Sequence, residues 1–493
     1  MDRTAFTTGV ASDEGRVSAI TSLSETVKDL TSKLDALKQD KLRKWKWSKE
    51  ALSIVAKLQD LASTNLPLVR SRLDKALEFP SAEWTNTPLF TGGKFGFEQF
   101  NRTPEWFDEM GFLVQRTAYT FSDTWDCAPI TATFLVPTNL DTRNAKKLKI
   151  VFYFHGGGFC TGAGDFVSWY SRSSVEFARA NNAIIIAPDY PLGPEASYRD
   201  ISNAIKTFLI WYNEGGCFEP GNFTHWKQWL STVTAMDFTN LQPQINDILI
   251  EGESAGGHAA VTAMFANAEK KIEHTNPWAC DLPIAAVFLR YPMVKHYARE
   301  CPDSVTYMNS EFTRAEVQKH AQDIKDAIVE LEAFELVPSR SRSHPPHGMS
   351  AAFLLSITKE WQAMFQRHAV NGNDIDAAMD CLERVEAYVG KVDTVLPRII
   401  MYHGDKDSNC PIDETRRFCD LLIQNYPEIY TENDTLIFQS VGSLAVQATW
   451  IKEMGRLEAR AVDTVAHGFD YDLIPRNEEF LRKTYRIIGK WWL

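Results

Sequence analysis

Two glycine turns, each fed by an apolar run, constrain this chain more than any other feature. The first is His155-Gly156-Gly157-Gly158-Phe159, preceded by Leu148-Lys149-Ile150-Val151-Phe152-Tyr153-Phe154, which reads as a buried strand feeding a loop of backbone N–H groups. The second is Gly252-Glu253-Ser254-Ala255-Gly256-Gly257, preceded by Ile248-Leu249-Ile250-Glu251, which reads as a strand ending in a sharp turn with a serine at its tip. A Gly-x-Ser-x-Gly elbow needs its glycines because the serine sits on a strained strand-to-helix turn, where side chains two residues either side would collide with neighbouring elements. Together the two turns imply a nucleophile and an oxyanion hole, most of the parts that acyl transfer requires.

The rest of the chain alternates strands with helices. Ala118–Phe121 and Ile130–Val136 read as an opening antiparallel pair, followed by the strand into His155. Then come a helix over Ser168–Ala180, a strand over Ala183–Pro188 and a helix over Tyr198–Tyr212. The serine strand, helix Ala255–Asn267 and strands Ile284–Tyr291, Arg398–Tyr402 and Arg460–Val465 complete the series. That alternation predicts a mostly parallel sheet covered on both faces. Residues 215–245 read as loop, 297–390 as a largely helical insertion and 426–444 as a third insertion; such additions gather at the strand C-terminal edge and roof a site there. The expected division is a helical N-terminal extension or cap over 1–110, the α/β core over 111–296 and 391–493, and the helical cap over 297–390.

In the N-terminal region Ile20, Leu23, Val27, Leu30, Leu34 and Leu37 recur in steps of three and four, and Leu52, Val55, Leu58 and Leu61 continue the pattern. This predicts helices that pack on the main domain, with a homodimer contact as the alternative. Pro67 and Pro80 imply an irregular connector over 62–100.

With 493 residues, a net charge of −12 and 24% charged residues, the chain has the composition of a globular protein and not of a nucleic-acid binder. The basic stretch Lys38–Lys49 reads as a solvated helix face. No run reaches the roughly 20 apolar residues of a membrane helix, so no stable membrane anchor is expected. The N-terminus lacks the apolar core of a secretory signal, and the eight cysteines are scattered without Cys-x-x-Cys spacing. Reduced thiols and a cytoplasmic location are the expectation. No cofactor or metal motif is present; the triple glycine lacks the Gly-Lys-Ser/Thr and Gly-x-Gly-x-x-Gly spacings of phosphate loops.

Serine needs a base within hydrogen-bond reach and an acid to orient it. Ser254 is the nucleophile candidate. Glu253 and His258 lie beside it, but neighbours on an elbow point away from the nucleophile and both read as structural. His467 ends the late strand region and precedes Gly468-Phe469, which places it at the sheet edge where Ser254 emerges; His403 reads as a structural turn residue. The acid comes from Gly404-Asp405-Lys406-Asp407-Ser408-Asn409-Cys410-Pro411, where Gly-x-x-Asp followed by Pro selects Asp407, with Asp405 as its rival. The oxyanion donors are the N–H groups of Gly157, Gly158 and Ala255, while His155 and Phe159 brace the loop.

These residues resemble the hormone-sensitive-lipase-like (bacterial family IV) branch of the α/β-hydrolases, which shares His-Gly-Gly-Gly and Gly-Asp/Glu-Ser-Ala-Gly-Gly and the chain order Ser, Asp, His. Pro188-Asp189-Tyr190-Pro191-Leu192-Gly193-Pro194-Glu195 is similar to that branch's Asp-Tyr-Arg-Leu-Ala-Pro-Glu stretch, with Pro191 where the family has arginine. The resemblance implies the α/β-hydrolase fold, cofactor-free hydrolysis of a small-molecule carboxylic ester, a cap over the site and a taste for short acyl groups. Spacings longer than in compact members imply a rebuilt roof, and the enlarged form is similar to members of fungal secondary-metabolite pathways. Two other readings use the same residues: acyl transfer, lactone or amide cleavage or cyclisation by the same triad, and a non-catalytic receptor on a hydrolase fold.

Overall fold

The structure is a computed structural model. The structure describes residues 13–39, 49–77, 102–140, 149–214, 217–219, 222–239, 248–269, 281–295, 301–307, 310–345, 347–369, 380–392, 396–432, 434–442, 465 and 467–493. Eight strands form one sheet: β1 (Phe112–Phe121), β2 (Pro129–Pro137), β3 (Lys149–Phe154), β4 (Ala183–Pro188), β5 (Ile248–Glu253), β6 (Ile284–Arg290), β7 (Arg398–Gly404) and β8 (Leu436–Val441). Their spatial order is β1-β2-β4-β3-β5-β6-β7-β8. Strand β2 is antiparallel to both neighbours and every other pair is parallel.

Both faces of the sheet are covered, which is why its central strands are apolar without alternation. On one face Val151, Tyr153, Ile185, Leu249, Phe288, Ile400 and Tyr402 pack with helices Arg172–Ala180 and Glu479–Trp492, through Val175, Ala178, Leu481, Tyr485 and Ile488. On the other, Phe152 meets Phe208 and Tyr212 of helix Tyr198–Glu214 edge-on at 5.0 and 4.8 Å between ring centroids. Helix Ala255–Ala268 follows β5 and is buried at every position, which its small residues permit.

The chain divides into two compact units. One holds the central sheet and comprises Phe79–Phe121, Pro129–Ala321 and Arg340–Leu493. The other comprises Met1–Glu78, Ser122–Ala128 and Gln322–Ser339. In the second unit Leu23, Val27 and Leu34 of helix Asp13–Gln39 and Ile54, Val55, Leu58, Val69 and Leu73 of helix Lys49–Leu77 are buried. Ser24 Oγ donates to Phe334 O at 2.9 Å, and Ser339 N to Asp126 Oδ2 at 2.9 Å.

Three sequence expectations are corrected. The irregular connector expected to begin at 62 does not: the helix continues through Pro67 to Leu77. A proline removes one helical hydrogen bond, but Leu58, Ala62, Val69 and Leu73 keep one buried face, and packing of that face outweighs the local penalty. Strand β8 lies inside 426–444, which read as an insertion. It pairs with β7 from Ile399↔Leu436 to Gly404↔Val441. Residues 215–245 are not all loop, since helix Trp226–Thr234 buries Trp226, Trp229 and Leu230 against Phe134 and its neighbours. Most of the expected strand Arg460–Val465, of the basic stretch Lys38–Lys49 and of 78–101 lies outside the described residues. No helix among the described residues is long and apolar enough to cross a membrane.

The glycines after Ser254 tie the sheet to its covering helix. A Cβ on Gly256 would stand 2.0 Å from Phe154 O and 2.5 Å from His155 O, both backbone atoms that cannot yield. Gly256→Ala is therefore expected to lower stability by about 2 kcal/mol or more. Gly489, inside helix Glu479–Trp492, meets only Leu493 Cδ1 at 3.7 Å, so Gly489→Ala is expected to raise stability by about 0.5–1 kcal/mol. Chemical-denaturation midpoints of the two variants check both signs.

Candidate active site

Ser254 sits between β5 and helix Ala255–Ala268 at φ 51° and ψ −123°, a backbone conformation that L residues rarely adopt. The glycines around it make the turn possible. A Cβ on Gly252 would be 2.2 Å from Gly256 O, and one on Gly257 would be 2.5 Å from Pro292 Cβ. The turn is held from the next strand: Ser254 N donates to Arg290 O at 3.1 Å and Met293 N donates to Ser254 O at 2.8 Å.

The triple glycine lies directly against this elbow. A Cβ on Gly156 would meet Ser254 Cβ and Glu253 O at 3.3 Å each. Gly157 and Gly158 have φ of 100° and 57°, so the loop reverses through two left-handed residues. The Gly157 carbonyl is spent on Cys160 N and Thr161 N, at 3.1 and 3.2 Å. Among the described residues the N–H groups of Gly157 and Gly158 donate to no acceptor, and Ala255 opens a helix, whose first N–H groups have no partner within it. The first two lie in the loop whose Gly156 packs on the elbow, and the third directly follows the serine.

His155 braces this loop. Its Nδ1 donates to Gly156 O at 2.8 Å and its ring stacks on Tyr190 at 4.3 Å. Burial lowers its pKa to about 4, so the ring is neutral near pH 7. Phe159 packs with Tyr190, Tyr198, His258 and Phe365.

Asp407 and His467 are brought together. His467 Nδ1 donates to Asp407 Oδ2 at 2.7 Å, which leaves Nε2 as the nitrogen able to accept a proton. The other carboxylate oxygen receives Asn409 N and Cys410 N at 2.8 and 2.9 Å. Burial by itself would raise the Asp407 pKa, but the neighbouring His467 charge and the hydrogen bonds from His403 and His467 outweigh it and hold the carboxyl well below its ordinary range. Asp405 is engaged differently: its N–H donates to Val441 O at 3.0 Å, and among the described residues the carboxylate that His467 bonds is that of Asp407.

His403 does more than end a turn. It is buried in β7, with Nε2 2.7 Å from Cys410 O and 3.1 Å from Asp407 Oδ2, and Nδ1 3.0 Å from the Thr415 hydroxyl. It thus holds the acid loop from beneath. Its position four residues before Asp407 was the available signal.

Two arginine clusters went unread in the sequence. Arg290, at the end of β6, is fully buried and pairs with Glu251, Glu253 and Asp470 at 3.0, 3.0 and 2.8 Å. Glu253 is thereby structural, as its place beside the nucleophile implied. Burial raises the Glu251 and Glu253 pKa values, against the opposing charge of Arg290. The stretch that lacks the family arginine at 191 is met instead by Arg340 and Arg342. Arg340 Nη2 bonds Glu195 Oε2 at 2.9 Å and Gly193 O at 2.6 Å, while Arg342 Nη1 bonds Asp189 Oδ2 at 2.8 Å. No group of three or more His, Cys, Asp or Glu among the described residues is placed to hold a metal ion.

A family model described as alpha/beta hydrolase fold matches residues 151–373. The fold is that of an α/β-hydrolase. It is 29% identical to a probable carboxylesterase M8 of Phoma sp. over 29% of this chain and 41% of that protein. It is 30% identical to probable carboxylesterase 6 of Arabidopsis thaliana over 29% of this chain and 39% of that protein. The chain thus spans about two fifths of the length of these curated relatives. Among solved structures, esterase 2 of Thermogutta terrifontis phosphonylated by sarin is similar at 14% identity and a TM-score of 0.39, over 77% of this chain and 93% of that one.

The two carboxylates of the acid loop give opposite expectations. Asp407→Asn should reduce turnover by about 10⁴-fold through loss of the correct imidazole tautomer, while Asp405→Asn leaves it within about threefold. The Asp407 pKa is lowered from 3.8, so the stability its charge contributes is complete above that pH and disappears as pH falls through the lowered value. Steady-state kinetics of the two variants and an acid unfolding curve of wild type against Asp407→Asn check this.

Proposed function

We propose that this protein is a serine carboxylester hydrolase acting on small-molecule esters without a cofactor. In this reading Ser254 Oγ attacks the ester carbonyl carbon and His467 Nε2 takes the serine proton. The Gly157, Gly158 and Ala255 N–H groups hold the negative oxygen. The tetrahedral intermediate collapses, its alcohol leaves with the proton from His467, and water repeats the sequence on the acyl-serine to release the acid. Asp407 keeps the imidazole in the tautomer that faces the serine. What supports the reading is the hydrogen-bonded Asp407–His467 pair, together with a strained serine elbow against which the triple-glycine loop is packed. The carboxylesterase names of the relatives support the same chemistry. A cytoplasmic setting belongs to the proposal, supported by the free thiols of Cys127, Cys160, Cys301, Cys381, Cys410 and Cys419.

The cap expected over 297–390 enters the proposal through one contact. A Cβ on Gly158 would meet Trp361 Cη2 at 2.8 Å and Ala352 Cβ at 3.3 Å, so helices Met349–Ile357 and Trp361–Phe365 press on an oxyanion donor. Phe365 stacks on Trp361 at 5.3 Å and backs it. We read Trp361 as a limit on the size of the group seated beside Gly158.

Two experiments test these statements. A fluorophosphonate should label Ser254 in wild type and not in Ser254→Ala, and Ser254→Ala and His467→Ala should each lose about 10⁶-fold in turnover, with the double variant little worse. Absence of an adduct on folded wild type refutes the assignment; product analysis separates hydrolysis from acyl transfer to another nucleophile. Trp361→Ala should raise the ratio of kcat/KM for hexanoate over acetate p-nitrophenyl esters by about tenfold, the scale of a few methylenes in a hydrophobic pocket. An equal fall for both esters would instead make Trp361 a support for the loop.

A further inference from the structure

We propose that Tyr291 is a positioning residue that fixes the His467 imidazole relative to Ser254, a proposal resting on the triad assigned above. Three independent observations converge on it. The first is its backbone: Tyr291 has φ 36°, and a bulky residue held at positive φ is an outlier that the surrounding structure has to enforce. Strained residues of this kind cluster where geometry serves a function, and this one directly follows the strand that flanks the elbow.

The second is where its chain segment goes. Arg290 O accepts from Ser254 N, and Met293 N donates to Ser254 O, so residues 290–293 bracket the nucleophile from both sides. Tyr291 N donates to Tyr402 O at 2.8 Å, tying the same segment to β7 a few residues before the acid loop. The turn at Tyr291 is thus tied by backbone bonds to the serine elbow and to the strand that leads into the acid loop.

The third is the side chain. It is fully buried, and its ring meets the His467 imidazole at 4.7 Å between centroids with an interplanar angle of 64°. An edge-on contact between the two rings restricts rotation of the histidine about the Nδ1–Asp407 hydrogen bond, which by itself fixes one atom of the ring and not its plane. The ring is fixed in turn. Its hydroxyl donates to Glu253 Oε2 at 2.9 Å and receives Arg290 Nη1 at 3.2 Å. Arg290 also holds Asp470, three residues beyond His467. Tyr291 therefore links the residue before the nucleophile, the imidazole of the base and the ion cluster that anchors the histidine loop. Packing alone calls for a large side chain here; it does not call for a hydroxyl on Glu253 or for a strained backbone.

Tyr291→Phe, Tyr291→Leu and, as a control remote from the site, Tyr430→Phe test the proposal with a short p-nitrophenyl ester. Tyr291→Phe keeps the ring and frees its far end, and kcat is expected to fall about fivefold with KM within twofold. Tyr291→Leu removes the ring, and kcat is expected to fall about 100-fold at nearly constant KM, the size of effect a misplaced catalytic group produces. Tyr430→Phe should leave both constants unchanged. The rate of fluorophosphonate labelling of Ser254 should fall in step with kcat while the final labelled fraction stays at the wild-type level, which a merely unfolded variant would not show. If Tyr291→Leu fails to fold, Tyr291→Phe decides. Wild-type kcat and labelling rate in Tyr291→Phe, or a kcat loss matched by a lost labelled fraction, overturns the positioning role. Absence of labelling in wild type refutes the triad itself, a separate outcome.

Discussion

Everything at the catalytic edge of this sheet is arranged around one buried guanidinium. Arg290 meets three carboxylates in a place without solvent, two from β5 and one from the histidine loop. Three acids around one base cannot all remain charged at low dielectric without help, and burial does raise Glu251 and Glu253. Hydroxyl groups supply the rest: Ser174 donates to Glu251, Tyr153 and Tyr291 to Glu253, and Tyr402 to Asp470. Removing one partner of such a cluster typically costs about 3–5 kcal/mol, because the charge left behind stays buried. Two elements far apart in sequence, the serine elbow and the histidine loop, are thereby made parts of one rigid body.

Close backbone packing does the remaining work. The elbow and the triple glycine touch main chain to main chain, with no room for a methyl group at Gly252 or Gly256. A loop of peptide N–H groups can stay unspent beside the serine only because the same loop is satisfied through its other atoms: the Gly157 carbonyl, the His155 ring and the Tyr190 hydroxyl. Rigidity around the site and open hydrogen-bonding capacity at its centre come from the same packing.

Much of this was legible in the sequence because it is carried by short range patterns. Strand β4 was bounded correctly at Ala183–Pro188, since an apolar run between polar turns leaves little choice. The pairing of Asp407 with His467 followed from loop spacing, and the geometry favours Asp407 over Asp405. What stayed hidden depends on distant partners. Strand β8 has an ordinary half-polar face and becomes a strand by pairing with β7, which no local pattern announces. The helix through Pro67 survives on buried contacts, and Arg290 looks like any strand-end arginine until Asp470 arrives 180 residues later. His403 was readable as a turn residue only because its partners on Asp407 and Thr415 belong to a loop not yet folded on paper.

Arg340 and Arg342 fix the segment that carries them. Asp189 is fully buried and Glu195 nearly so, and their counter-charges come from a segment more than 140 residues away in the chain. The same segment is sewn to the loop after the triple glycine, through Gly162 N to Ser343 O at 2.7 Å and Ser343 N to Gly162 O at 2.9 Å. Lifting it would strand two carboxylates in an apolar interior and open two backbone bonds at once. In the proposed cap this stretch is therefore a fixed jamb and not a door, and any widening of the way to Ser254 would fall to segments that carry no such stitching.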